Sequence, residues 1–201
     1  MHAPTKLFFL PGALGRSDFW QPVAGMLAHP ATRVHATWPG FNGVPPDPRI
    51  RGLDDLAEGI VSQIDQPSAL IAQSMGGVVA MLAAVRKPEL VTHLVLSVTS
   101  GGMDLAALGG QDWRAAIRAS HPVLPDWFLS YHDNLTPLLP SLRIPTLLLW
   151  GDADPISPVA VGQRLAMLLP HAELHVIPGG QHDLAFTHAD RVASLIDRHL
   201  S

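Results

Sequence analysis

The stretch "SALIAQSMGGVVAMLAAV", Ser68 to Val85, decides how this chain is read. An apolar run of small and branched residues ends at Gln73. A lone serine follows, and after Met75 and two glycines a second apolar run begins at once. The first run has the length of a buried strand and the second that of a buried helix. Ser74 therefore occupies a strand-to-helix turn with almost no residues to turn in. So abrupt a turn forces its middle residue into an unfavourable backbone conformation and demands small neighbours. Ala72, Gly76 and Gly77 meet that demand. The turn lifts the Ser74 hydroxyl clear of the sheet edge. It also aims the Met75 backbone N–H, at the positive end of the next helix, into the same space, where it would favour a developing oxyanion.

Working outward, the pattern matches the nucleophile elbow G-x-S-x-G with Ala72 in place of the first glycine. The competing reading is a serine that caps a buried helix; the strand directly before it and the helix directly after it favour the elbow. Further apolar runs recur at Lys6–Leu10, Arg33–Trp38, Thr92–Val98, Thr146–Trp150 and Glu173–Ile177. Most are continuous and not alternating, as expected of strands covered on both faces of a parallel sheet. Helical patterns lie at Asp18–Ala28, Leu53–Ile64, Gly76–Arg86, Val159–Leu169 and Ala189–Leu200. The alternation predicts a doubly wound α/β fold with a mostly parallel six-stranded sheet, formed by residues 1–201 as a single domain. Residues 99–142 are too long for an ordinary connection. They carry Trp113, Trp127, Phe128 and Tyr131 and a short helical pattern, "DWRAAIRA". Because ligands of such sheets bind beyond the carboxyl ends of the strands, the segment from about 100 to 142 is read as a small lid.

Composition narrows the function. At 201 residues, 47% hydrophobic and 15% charged, the chain supports one sizeable core. A net charge of -4 gives no reason to expect nucleic acid. The absence of cysteine excludes disulfides, zinc–thiolate sites and cysteine nucleophiles. No window approaches the roughly 18 apolar residues that span a bilayer, and no signal peptide is recognisable, so a cytoplasmic location is expected.

A serine hydroxyl is a weak nucleophile at neutral pH. It needs a base to take its proton and an acid to hold that base. The loop after "TLLLW" offers Asp152 and Asp154. Asp154, stiffened by Pro155, is the expected acid, Asp152 the residue that holds the turn, and Asp104 a rival. The base is His182, which lies in a Pro-Gly-Gly loop at a strand's carboxyl end, directly before the last helix. His171, His175, His188 and His199 read as surface or packing residues, and no metal is expected. The second oxyanion donor is expected from the turn after the first strand, at the Ala13 N–H, with Leu14 as the alternative.

With these residues in place, the chain resembles the α/β-hydrolase superfamily. "LFFLPGALG" resembles its HG-x-x-G oxyanion loop and "WPGFNG" its D-x-P-G-x-G loop. "AQSMGG" is similar to G-H-S-M-G-G, "LLLWGDADPISP" to the acid loop and "GGQHDL" to the histidine loop. The matches follow the family's order and span nearly the whole chain. The resemblance implies Ser74 as nucleophile, Asp154 as acid, His182 as base, and the amides of Ala13 and Met75 as the oxyanion hole. Two departures stand out: Pro11 replaces the family's oxyanion-loop histidine, and the sheet begins at the family's third strand, so the leading hairpin is expected to be absent. The implied activity is cleavage of a small-molecule carboxylic ester through an acyl-enzyme, without a cofactor. Leu14, Trp38, Phe41, Trp113, Trp127 and Phe128 are candidates to line the substrate pocket. One alternative is a thioesterase or a carrier-protein acyl methyl ester esterase, for which Arg114 and Arg118 could meet an acidic acyl carrier protein. Carbon–carbon bond cleavage is a further variant. A low-turnover small-molecule binding protein on the same fold is the alternative outside enzymes.

Overall fold

The computed structural model describes residues 3–14, 16–111, 114–121, 124–131 and 134–201. The apolar runs form six strands: β1 (Lys6–Leu10), β2 (Thr32–His35), β3 (Ser68–Gln73), β4 (Val91–Ser97), β5 (Thr146–Gly151) and β6 (Ala172–Ile177). They pair in the order β2-β1-β3-β4-β5-β6, and every pairing is parallel. The interior strands β3 and β5 are buried at every position, whereas the edges β2 and β6 are partly exposed. Continuous apolar sequence accordingly marks the middle of the sheet, and mixed sequence its margins.

The helices are α1 (Gln21–Met26), α2 (Leu53–Val61), α3 (Met75–Arg86), α4 (Arg114–Ser120), α5 (Asp126–Leu129), α6 (Val159–Leu168), α7 (Leu184–Thr187) and α8 (Ala189–Leu200). The chain moves outward from β1 to β2, then crosses back over β1 to β3 and continues to β6. Right-handed crossovers put helices on opposite faces when the direction of travel reverses. So α1 packs with α7 and α8 on one face, while α2 and α3 pack together on the other. The reversal leaves a switch point between β1 and β3, where ligands of open α/β sheets bind. The turns after those two strands are the ones the sequence marks as oxyanion loop and elbow.

Several boundaries differ from expectation. Strand β2 stops at His35 and not at Trp38, because the Trp38 indole is drawn into the core to bond another loop. Helix α1 covers only Gln21–Met26 of the expected Asp18–Ala28. In the long connection between β4 and β5, the expected short helix is present as α4. The connection also holds a 3-10 turn at Ala106–Leu108, α5 and a second 3-10 stretch at Thr136–Ser141. Its Trp127 and Phe128 pack edge-on against Phe41 in the loop after β2, with ring centroids 5.9 and 5.4 Å apart. No helix among the described residues is long and apolar enough to cross a membrane.

At the opposite end of the sheet from those loops, His93 of β4 meets His199 of α8 edge to face, 5.2 Å between ring centroids. Burial, reinforced by the neighbouring His199 and His29, pushes the His93 imidazole down from 6.5 to about 4. Burial likewise lowers His199. Unfolded His93 binds a proton below pH 6.5 that the folded protein refuses until about pH 4. Stability is therefore expected to fall as pH drops through that window. Urea unfolding midpoints measured from pH 7 to 4 should decline in the wild type and decline less steeply in His93→Gln.

Candidate active site

Ser74 sits between β3 and α3 with φ 52° and ψ −120°. A non-glycine residue in that region is strained by about 1–3 kcal/mol and persists only where its surroundings fix it. Here they do. The Ser74 N–H donates to Ser97 O at 2.9 Å, and its carbonyl accepts from Gly77 N at 3.0 Å. Gly76 packs against backbone so closely that an added Cβ would lie 2.5 Å from Pro11 O and 2.7 Å from Leu10 O. Gly12, in the turn after β1, lies flat against the elbow, where a Cβ would come within 3.3 Å of the Ser74 Cβ. The missing side chains at Gly12 and Gly76 are what allow the two turns to touch.

His182 Nε2 lies 3.0 Å from Ser74 Oγ, and its Nδ1 lies 2.8 Å from Asp154 Oδ2. Asp154 is buried, 4% exposed, and its other oxygen accepts the backbone N–H groups of Ile156 and Ser157 at 2.8 and 3.2 Å. A carboxylate can only accept, so the imidazole proton resides on Nδ1 and leaves Nε2 to accept from the serine hydroxyl. Asp104, by contrast, is exposed in the connection after β4.

The loops carrying these groups are tied to one another. Gln73 Nε2 donates to His182 O at 3.0 Å. Asp152 Oδ1 accepts Gly179 N at 2.7 Å, so it joins the acid loop to the histidine loop and does not merely close its own turn. The Ala153 N–H donates to Gly180 O at 3.0 Å. Gln73 carries one signal in the sequence: it is a polar residue closing a strand that is otherwise apolar from Ala69.

The remaining candidates separate by burial. Met75 is the first residue of α3, where N–H groups lack intrahelical acceptors. Ala13 and Leu14 are partly buried in the turn after β1. Trp38 is buried, with its indole N–H 3.1 Å from Pro11 O and 3.2 Å from Gly12 O. Trp20 donates likewise to Leu10 O at 3.0 Å. These two indoles brace the turn in which Pro11 stands. Trp38 and Phe41 are at most 2% exposed and Phe128 is 3% exposed, which leaves them little surface for a ligand. Trp127 is half-buried and borders a surface concavity of about 440 Å³ with Arg51, Asp54, Asp55 and Tyr131. Trp113 lies outside the described residues. Another concavity, about 430 Å³, lies at the amino-terminal ends of β5 and β6 beside His171 and His199, at the far edge of the sheet from Ser74. His171 and His175 stand four residues apart, but along an extended strand such positions are about 13 Å apart and cannot share an ion. Among the described residues no three His, Asp or Glu side chains are grouped to hold a metal.

The sequence and the fold have counterparts among known proteins. A family model described as "Alpha/beta hydrolase family" matches residues 7–107, and one described as "alpha/beta hydrolase fold" matches residues 126–189. A 2-hydroxy-6-oxononadienedioate/2-hydroxy-6-oxononatrienedioate hydrolase from Pseudomonas sp. is 26% identical, over 92% of this chain and 83% of its own length. A pimeloyl-[acyl-carrier protein] methyl ester esterase from Neisseria meningitidis is also 26% identical, over 81% of this chain and 83% of its own. Among solved structures, a thermophilic esterase from Thermogutta terrifontis superposes with a TM-score of 0.78 at 19% identity, covering 100% of this chain and 90% of that one.

The contacts at Gly76 yield a stability prediction. Gly76→Ala places a methyl against two backbone carbonyls that cannot move without shifting β1. It should cost about 2 kcal/mol or more, read as a lower urea midpoint with an unchanged denaturant slope.

Proposed function

Because the chain belongs to the α/β hydrolase family, we propose that it is a serine hydrolase that cleaves a carboxylic ester through an acyl-enzyme on Ser74. The observation that carries this reading is the hydrogen-bonded row Ser74 Oγ, His182, Asp154, at 3.0 and 2.8 Å. His182 Nε2 takes the hydroxyl proton as Ser74 Oγ attacks the ester carbonyl. Asp154, hydrogen-bonded to Nδ1, stabilises the imidazolium that results. The Met75 N–H, and that of Ala13 or Leu14 across the gap, receive the tetrahedral oxyanion. As the carbon–oxygen bond to the leaving group breaks, His182 returns the proton to the departing alcohol. Water then enters, gives its proton to His182 and attacks the acyl-enzyme, and the acid leaves as Ser74 regains its hydrogen. In this reading residues 1–201 act as one domain and residues 100–142 as a lid, anchored through Trp127 and Phe128 on Phe41.

A carrier-bound acyl ester is the second substrate to consider, because the Neisseria meningitidis relatives are named for one. Of the two arginines that could meet an acidic carrier, Arg114 donates to Tyr131 O at 3.2 Å within its own segment. Arg118 is exposed on α4. Carrier action predicts that raising salt slows a carrier-linked substrate more than a free ester, and that Arg118→Glu removes the difference.

For the principal reading, Ser74→Ala should abolish release of p-nitrophenol from a short p-nitrophenyl ester and abolish fluorophosphonate labelling. Turnover at the wild-type rate by that variant refutes it. Asp154→Asn should fold normally and lower kcat by about four orders of magnitude through loss of the Nδ1–H tautomer. Labelling of the wild type without turnover across an ester panel varied in acyl length would point to a binding protein instead.

A further inference from the structure

Val98, directly after β4, has φ 42°. A β-branched residue in the left-handed region is a genuine outlier, and it follows the strand next to the one that leads into the strained Ser74. Its turn places Thr99 under the elbow. Thr99 is fully buried, and its hydroxyl donates to Ser74 O at 2.7 Å while accepting from Gly101 N at 3.2 Å. The side chain fills the space beside Gly77, where an added Cβ would lie 2.5 Å from Thr99 Oγ1 and 2.6 Å from its Cβ. The second glycine after Met75 thus makes room for this threonine.

The carbonyl that Thr99 holds is one end of the peptide whose other end is the Met75 N–H. A peptide unit is planar and trans, so its C=O and N–H point in opposite directions. Two donors, Thr99 Oγ1 and Gly77 N, fix the carbonyl toward the protein interior. The N–H is thereby turned away from Thr99. Resting on the serine-hydrolase reading, we propose that Thr99 is a positioning residue for the oxyanion hole: its hydroxyl sets the orientation of the Ser74–Met75 peptide and so aims the Met75 N–H at the developing oxyanion. Thr99 also reaches the acid loop. Its carbonyl accepts a longer contact from Ser157 Oγ at 3.4 Å, and the Ser157 N–H donates to Asp154 Oδ1. The same residue is therefore in register with both ends of the triad.

The test compares Thr99→Val, which keeps the shape and removes the hydroxyl, with Thr99→Ser, which keeps the hydroxyl. On p-nitrophenyl acetate, Thr99→Val should lose at least about tenfold in kcat with KM within about threefold, part of the loss known for deleting an oxyanion donor. Thr99→Ser should stay within about threefold of wild type. A trifluoromethyl ketone, whose adduct carries an oxyanion, should bind Thr99→Val more weakly by about the factor lost in kcat/KM. A crystal structure of that variant should show Ser74 ψ rotated away from −120°. A folded Thr99→Val with wild-type kcat and analogue affinity overturns the assignment. Should Thr99→Val fail to fold, a folded Thr99→Ser that has lost tenfold in kcat also overturns it, since the methyl and not the hydroxyl would then matter. A wild type inert to both the ester and a fluorophosphonate rejects the hydrolase reading and the assignment with it. An active wild type beside an equally active Thr99→Val rejects the assignment alone.

Discussion

The architecture around the site depends on one strained backbone, the positive φ of Ser74. No local propensity favours it. It persists because β1 and β4 flank β3, α3 begins at the next residue, and glycines at positions 12, 76 and 77 let those neighbours close in. Replace any one of these surroundings with something bulkier and the turn loses what confines it. The strain is thus a property of the whole sheet centre, expressed at a single residue.

The other two loops of the site are held by a different device. The acid loop and the histidine loop follow adjacent strands, β5 and β6, and approach each other backbone to backbone at Gly151 and Gly180, where any side chain at position 151 would overlap the Gly180 peptide. Asp152 and Ala153 bond across the same contact. Asp154 and His182 therefore meet through a short, glycine-lined seam and not through long flexible arms. Gln73 then ties that seam to the elbow by way of the His182 carbonyl. The histidine loop is thus bonded directly to both the acid loop and the elbow, and the acid loop reaches the elbow through Thr99.

What the sequence made legible follows from the same physics. Strands buried on both faces must be apolar throughout, so β3 and β5 were plain as runs of letters. The elbow was plain because few arrangements need a serine between Ala72 and two glycines. Asp154 and His182 could be named because position after a strand restricts where a loop residue can point. Trp38 was harder. It reads as the last residue of a strand, yet its indole N–H bonds carbonyls 26 and 27 positions earlier, a partnership no local pattern encodes. Thr99 and Gln73 were missed for a related reason. Each looks like an ordinary polar residue at a strand end, and its role exists only once a second strand lies beside it. In the segment after β4 the sequence shows its unusual length and the helical pattern that becomes α4, whereas the short helix α5 is fixed by packing of Trp127 and Phe128 on Phe41.

The parallel sheet has a kinetic corollary. Parallel neighbours cannot be joined by a tight turn, and here Lys6 aligns with Ser68 and Leu94 with Thr146. Each such alignment requires a long loop to close before the contact can reward it, which slows folding. Strand β3, which leads into Ser74, is enclosed only when partners from both directions of the chain have arrived. The row Ser74, His182, Asp154 is consequently expected to assemble late, and a nascent or partly folded chain carries the serine without its hydrogen-bonded partners.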